Sequence, residues 1–275
     1  MYTFIDSLAD LDFLNQELLK KRYIGVDTEF RRTNKNNMRL ALLQVNDAEE
    51  IYLIDTIAID NPLDKCNFLF SRSVTKIFHS CKEDLEAIYS WTNCKMTNIF
   101  DTQLANAFLD CGYSISYQDL VHQKLGITLD KKETRSNWIR RPLTDDQLKY
   151  AALDVEYLIH LYEDQFEALS KSNKLDWHDQ EIKKLVQATF ENQSNLITSV
   201  RTISRAEENE ILNKFNKLVT KISYREGINS TLFFSKKAQK DFLRLVLERG
   251  FDNASSEITD WRRELIRKDF INLLA

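Results

Sequence analysis

YIGVDTEF, residues 23–30, decides the reading of this chain. The run is apolar and rich in β-formers, so it predicts a strand. Residues two apart on a strand share a face. Tyr23, Gly25, Asp27 and Glu29 then lie on one side, Ile24 and Val26 on the other. The apolar face can pack on helices while the two acids face a cleft. Acid-x-acid alone is weak evidence, because a solvated edge strand explains such a pair more often than a metal does. The apolar flank here marks a central strand instead.

The pattern extends outward from that strand. Ser7 reads as the N-cap of a helix running to about residue 20. MRLALLQVND (38–47) and EIYLIDT (50–56) follow as strands turning near Asn46 and Asp47, which suggests an antiparallel meander. KIFHS (76–80) is a fourth strand, with a helix from about 82 to 91 behind it, and NIFDT (98–102) is a fifth strand or a strand-like turn. Helices are expected over about 102–110 and 116–125, the second stopped by Gly126. KKETRSNWIRRPL (131–143) reads as a polar, basic loop. It leads into one helix, TDDQLKYAALDVEYLIHLYEDQFEAL (144–169), where Thr144 and Gln147 fit a capping box. Beyond about 170 no strand pattern recurs. A helix near 177–195 is followed by short amphipathic helices interrupted at Gly227 and Gly250. The expected organisation is a mixed α/β domain over 1–170 and a small all-helical domain over 171–275.

Composition narrows the class. With 43% hydrophobic and 29% charged residues, the 275-residue chain can bury a sizeable core. Only 5 Gly and 2 Pro argue for helices and few tight loops. No apolar stretch approaches the length of a membrane span, and MYTFIDSLADLDF does not read as a signal peptide. Cys66, Cys81, Cys94 and Cys111 are scattered, which predicts reduced thiols and a cytoplasmic protein. The net charge of −4 is uneven: residues 211–275 carry 13 basic and 8 acidic side chains, and residues 1–210 carry 25 basic and 34 acidic. An acidic first part suits metals and a basic tail suits phosphates, although on charge alone a solvated helical surface is the better explanation of the tail.

Three further residues join the acids of the first strand. Asp84 follows the fourth strand in HSCKED (79–84), and Tyr150 and Asp154 lie four apart in QLKYAALDV (147–155), on one helix face. Taken singly, Asp84 is a first-turn acid suited to a helix dipole, and Tyr150 with Asp154 is a structural hydrogen bond. Taken together, the carboxylates repel one another unless cations neutralise them. Hard oxygen ligands suit Mg²⁺ or Mn²⁺, and a pair of such ions suits phosphodiester cleavage.

This constellation resembles the DEDD superfamily of 3′–5′ exonucleases. DTEF matches the first motif of that family, HSCKEDLEAIY the second, and FDTQLANAFL (100–109) the segment that follows. Tyr150, four before the last acid, is similar to the tyrosine subclass, since Lys149 occupies the alternative histidine position. LGITLDKKETRSNWIRRPLTDDQLKYAALDVEYLIHLY (125–162) and DTEFRR with LALLQV resemble ribonuclease D. The resemblance implies a ribonuclease H-like mixed sheet over 1–170 and a divergent HRDC-like nucleic-acid-binding domain over 171–275. It implies two divalent cations, Mg²⁺ or Mn²⁺, held by Asp27, Glu29, Asp84 and Asp154, with Tyr150 orienting the nucleophile. It implies stepwise release of nucleoside 5′-monophosphates from an RNA with a free 3′ end, with tRNA precursors as the expected substrate. A DNA exonuclease, or an inactive RNA-binding protein on the same fold, is the alternative.

The substrate grip is read from neighbouring residues. Arg135, Arg140 and Arg141 interleave with Trp138, a pattern that can hold phosphates and stack a base, though a solvated loop over a buried Trp138 reads as well. Phe30, Gln44 and His79 flank the motifs and are candidates to line the cleft, with packing as the plainer role. Trp261, Arg262 and Arg263 stand evenly between RNA contact and structure.

Overall fold

The computed structural model describes residues 2–34, 37–59, 61–129, 136–190 and 204–274. They divide into two compact units: Met1–Ala105 with Ile115–Ala168, and Asn106–Ser114 with Leu169–Ala275. Residues 106–114 thus group with the C-terminal unit and not with the expected 1–170 domain. No helix among the described residues is long and apolar enough to cross a membrane.

The first unit is built on a six-stranded sheet. Its strands are β1 (Tyr2–Ile5), β2 (Tyr23–Asn34), β3 (Asn37–Asn46), β4 (Ile51–Ile54), β5 (Thr75–Phe78) and β6 (Ile99–Asp101), in the order β1-β4-β3-β2-β5-β6. β2, β3 and β4 form the expected antiparallel meander. β1 joins β4 in parallel, as β5 joins β2 and β6 joins β5, so the sheet is mixed. β1 has no counterpart in the sequence reading, because YTFI is too short to show alternation.

Helices α1 (Leu8–Leu18), α2 (Asn67–Phe70), α3 (Lys82–Thr92), α4 (Thr102–Phe108), α5 (Tyr117–Leu125), α6 (Asp145–Glu156) and α7 (Leu158–Lys171) follow in order. Ser7 caps α1 through a bond from the Asp10 amide, and Gly126 closes α5 in the left-handed conformation. Ile24, Val26, Leu42, Leu43 and Val45 are fully buried in the sheet. β2 is therefore the central strand its apolar flank predicted.

The second unit is helical. Its elements are α8 (Leu175–Phe190), α9 (Arg205–Glu226), α10 (Ser230–Phe234), α11 (Lys236–Ala254) and α12 (Asp260–Leu274). Gly227 ends α9 at φ 57°, and Gly250 breaks α11 at φ 77°, where both interruptions were expected. The core is aromatic: Phe215 meets Phe270 at 4.6 Å between ring centres, and Trp177 stacks on Trp261 at 5.1 Å. The Trp261 indole donates to Glu181 at 2.8 Å, and Arg262 pairs with the same carboxylate and donates to the Leu232 and Phe233 carbonyls. Trp261 and Arg262 thus serve the core, and Arg263 pairs with Asp260 at 2.7 Å.

Candidate active site

The site begins on β2. Asp27 and Glu29 point to the same face, as their spacing requires. Just beyond them the β2–β3 ladder slips: Glu29 pairs with Leu42 but Phe30 pairs with Leu40, leaving Ala41 as a bulge. Bulges commonly end regular pairing beside functional groups. The Ala41 carbonyl here accepts from Arg141 at 2.7 Å.

Helix α6 brings the third acid. Its N-terminus carries the predicted capping box, with the Gln147 amide donating to the Thr144 hydroxyl and the Thr144 amide to the Gln147 side chain. Its C-terminus presses on the sheet. The Asn46 side chain donates to the Val155 and Glu156 carbonyls at 3.0 and 3.1 Å. A Cβ on Gly25 would sit 3.1 Å from the Leu158 Cβ, so any larger residue there would push α7 back by a few tenths of an ångström.

The predicted single helix over 144–169 is two helices, broken at Tyr157. The cause is Tyr117, whose hydroxyl donates to the Leu153 carbonyl at 3.2 Å and accepts from the Tyr157 amide at 3.0 Å. That carbonyl and that amide would otherwise bond to each other in the helix. An inserted hydroxyl opens the ladder without proline or glycine. The sequence reading missed Tyr117, and no local signal marks it.

Oxygens of Asp27, Glu29 and Asp154 all lie within 4.8 Å of one another. Asp84, in the first turn of α3, stands outside that trio. One of its oxygens accepts from the Thr28 hydroxyl at 2.5 Å, and Thr28 belongs to the opposite face of β2. Asp84 still senses the trio, since Asp27 is its main charged neighbour. Tyr150 hydrogen-bonds Asp154, as their spacing allowed.

The electrostatics follow from burial and crowding. Desolvation, then the charge of Asp154, pushes Asp27 well above the carboxylate range. Glu29 is raised to about 10 by burial and by Asp27, Asp154 and Asp84. Asp154 rises to about 7 by burial, with Tyr150 opposing the shift. Asp84 also rises, through burial and Asp27. Such a cluster keeps protons until a cation replaces them. The donors are all carboxylate oxygens, with no thiol or imidazole, and that set fits Mg²⁺ or Mn²⁺.

A second tier positions the acids. The buried Asp101 carboxylate accepts from the backbone amides of Ser80, Cys81, Gln103 and Leu104, at 2.8 to 3.1 Å. It fixes the turn that delivers α3 and Asp84. The signal was an aspartate between a strand and a helix, in FDT. His79 is half-buried, with Nε2 on the Ile115 carbonyl at 3.0 Å and Nδ1 2.9 Å from the Thr102 hydroxyl. Desolvation lowers its pKa, with Asp101 opposing the shift.

Several residues proposed to grip RNA have other occupations. Gln44 lies opposite Asp27 on β3 but is fully buried, so no strand can touch it in this structure. Neither of its amide atoms has a partner among the described residues. Trp138 is 4% exposed and packs 6.1 Å from the Tyr150 ring, which takes its faces away from a base. Arg141 pairs with Asp55 at 2.6 Å and donates to the Trp138, Arg140 and Ala41 carbonyls, which gives its guanidinium a structural task in this fold. His79 holds its turn, as described. Arg140 is exposed and Phe30 is half-buried, so both remain open to a ligand. Arg135 lies outside the described residues.

A mixed sheet whose central strand carries two acids, with a third on a late helix and a fourth in the first turn of α3, defines the class. The chain belongs to the 3′–5′ exonuclease family, whose model matches residues 2–167. Within it the chain is similar to ribonuclease D. It is 33% identical to ribonuclease D of Shewanella sp. strain ANA-3 over 68% of this chain and 48% of that one. It is 39% identical to that of Sphingobium indicum over 61% and 44%. The chain thus spans about half the length of the curated relatives it matches. Solved structures agree on the fold. Escherichia coli RNase D, described as an exoribonuclease involved in structured RNA processing, matches with a TM-score of 0.67 at 23% identity, over 100% of this chain and 74% of that one. Trypanosoma brucei RNase D in complex with RNA U12 gives 0.59 at 20% identity, over 74% and 77%. Brucella melitensis NrnC with bound Mg²⁺ gives 0.56 at 22% identity, over 67% and 92%.

Proposed function

We propose that this protein is a divalent-metal-dependent 3′–5′ exoribonuclease releasing nucleoside 5′-monophosphates. The observation that carries this reading is the convergence of Asp27, Glu29 and Asp154 within 4.8 Å. These three would hold the cations, two in number, with Asp84 supporting the second from behind its bond to Thr28. Bound cations supply an activated water and neutralise charge on the leaving oxygen. The chain supplies the rest. Tyr150, through its hydroxyl, orients the attacking water and holds a proton between that water and Asp154. The protonated acids give up their protons as cations enter. Tyr117, Asn46 and Gly25 fix α6 against β2, so the acids do not spread.

RNA is favoured over DNA by likeness to ribonuclease D, and tRNA precursors are the natural form proposed. An HRDC-like role in RNA capture is proposed for the C-terminal helices, on the strength of their net positive charge. A cytoplasmic setting belongs to the same proposal. The test is digestion of matched 5′-labelled RNA and DNA oligonucleotides with Mg²⁺ or with EDTA. A one-nucleotide ladder on RNA that needs Mg²⁺ is expected. A ladder on DNA alone, or cleavage that survives EDTA, contradicts the reading.

A further inference from the structure

A second cleft lies in the first unit, at the N-terminal end of β2, before the acids. It is a solvent-open cleft of about 400 Å³. Its walls are the Tyr162 and Phe166 rings of α7, with Tyr23, Arg22, Thr75 and Glu163 around them. Tyr23 stands four residues before Asp27, about 13 Å along the strand. Between them the α6–α7 junction covers Gly25, so the cleft is separate from the carboxylate site.

The chemistry of the walls is specific. Phe166 is among the few large apolar side chains left exposed, at 42%, and touches Tyr162 at 5.4 Å between ring centres. The Tyr162 ring is held from behind by Phe100 at 4.8 Å, which keeps it in place as a platform. Arg22 is exposed and has no ion pair among the described residues. Glu163 accepts the Tyr23 hydroxyl at 2.8 Å, which fixes its carboxylate at the rim. A planar ring, an anion and an in-plane N–H edge are the complement of these three features. Aromatic platforms stack any base, Arg binds phosphate, and a carboxylate accepts from the N1–H and N2–H edge of guanine.

We propose that this cleft binds a purine nucleoside 5′-monophosphate, guanine preferred, as an accessory site distinct from the catalytic acids. The base stacks on Tyr162 and Phe166, its N–H edge meets Glu163, and its phosphate meets Arg22. No strand needs to cross the catalytic site for this ligand to bind.

The experiment is calorimetric titration of the full-length protein with GMP, AMP and guanosine, in EDTA, so that the carboxylate site holds no cation. Saturable binding of one GMP per chain is expected, with AMP at least fivefold weaker through loss of the Glu163 contact. Guanosine, which lacks the phosphate, should bind at least tenfold more weakly than GMP. Arg22→Ala should lower GMP affinity to the guanosine level, and Phe166→Ala should lower it for all three ligands. Both side chains are exposed, and unchanged melting of the variants would exclude misfolding; Arg22→Gln serves if Arg22→Ala melts early. Absence of saturable GMP binding overturns the proposal. So does GMP affinity that Arg22→Ala and Phe166→Ala leave within twofold, or AMP binding as tightly as GMP.

Discussion

Asp27 is where burial and crowding meet most strongly, and its replacement separates chemistry from stability. Asp27→Asn removes a ligand and a repulsion together. It should abolish Mg²⁺-dependent cleavage while raising the melting temperature of the metal-free protein, measured side by side on one preparation. Loss of activity with a lower melting point in EDTA would mean that Asp27 supports the fold. Tyr150→Phe keeps the ring against Trp138 and deletes only the hydroxyl. It should cut the turnover rate about 10²-fold with little change in RNA affinity; a change in affinity alone would remove Tyr150 from the chemistry. Protons are also predicted to report on the site. Because Asp154 titrates near 7 in the fold, well above its unfolded value, it stabilises the metal-free protein fully only in acid. That contribution is lost as pH rises from about 4 through about 7. Mn²⁺ displaces the same protons, so its stabilising effect in thermal melts should grow between pH 5.5 and 8. An effect independent of pH would contradict the crowded, protonated cluster. At this scale the sequence was informative where spacing alone sets direction. Asp27 and Glu29 share a face by strand geometry, and Tyr150 and Asp154 by helix geometry. It was silent where a partner comes from far along the chain. Thr28 on Asp84 and Tyr117 on the α6 ladder leave no local pattern. The Asp55 partner of Arg141 was hidden for a related reason, because an arginine in a basic loop looks the same whether it meets a phosphate or a carboxylate.

The elements explain why the acids meet at all. β2 contributes two of them, and α6 must lie close enough to contribute the third. Gly25 is the contact that permits it, since the Leu158 Cβ and the Val155 carbonyl crowd the position where a side chain would stand. Gly25→Val should cost about 1–3 kcal/mol in denaturant unfolding. It should also weaken Mn²⁺ binding by lifting Asp154 away from Asp27. Stability loss with unchanged Mn²⁺ affinity would show that the helix approach does not set the site. Arg141 performs the corresponding task for the segment before α6, tying it to the Ala41 bulge and to Asp55. Asp55 is buried, which opposes its charge, but the bonds from Arg141 outweigh burial and hold its pKa low. Arg141→Met should therefore cost about 3 kcal/mol near neutral pH. The deficit should shrink as acid protonates Asp55. If Arg141 instead gripped substrate, the variant would melt normally and lose RNA affinity. Element boundaries were legible wherever a cap marks them, as at Ser7, Thr144, Gly126, Gly227 and Gly250. The break at Tyr157 was not, because apolar residues keep helical spacing straight across it.

Over the whole chain, charge is divided between a part that gathers negative oxygens and a part with a net positive surface. That division assigns different kinetic roles. Lys236 and Lys240, exposed at the start of α11, carry no ion pair among the described residues. Reversing both to glutamate should raise KM for a long RNA and steepen nothing in kcat, while leaving a trinucleotide substrate unaffected. Equal losses on long and short substrates would place these lysines at the chemistry instead. The unevenness was visible in composition. What composition did not reveal is that residues 106–114 cluster with the C-terminal helices, where the Lys174 amine bonds the Phe108 and Gly227 carbonyls. A contiguous reading of domains cannot find such a return of the chain, because nothing local distinguishes it. The account as a whole rests on cations bound by Asp27, Glu29 and Asp154, and anomalous diffraction from Mn²⁺-soaked crystals measures that directly. Manganese peaks within about 2.5 Å of oxygens from all three carboxylates are predicted. A peak elsewhere, or none at saturating Mn²⁺ above pH 8, would contradict it.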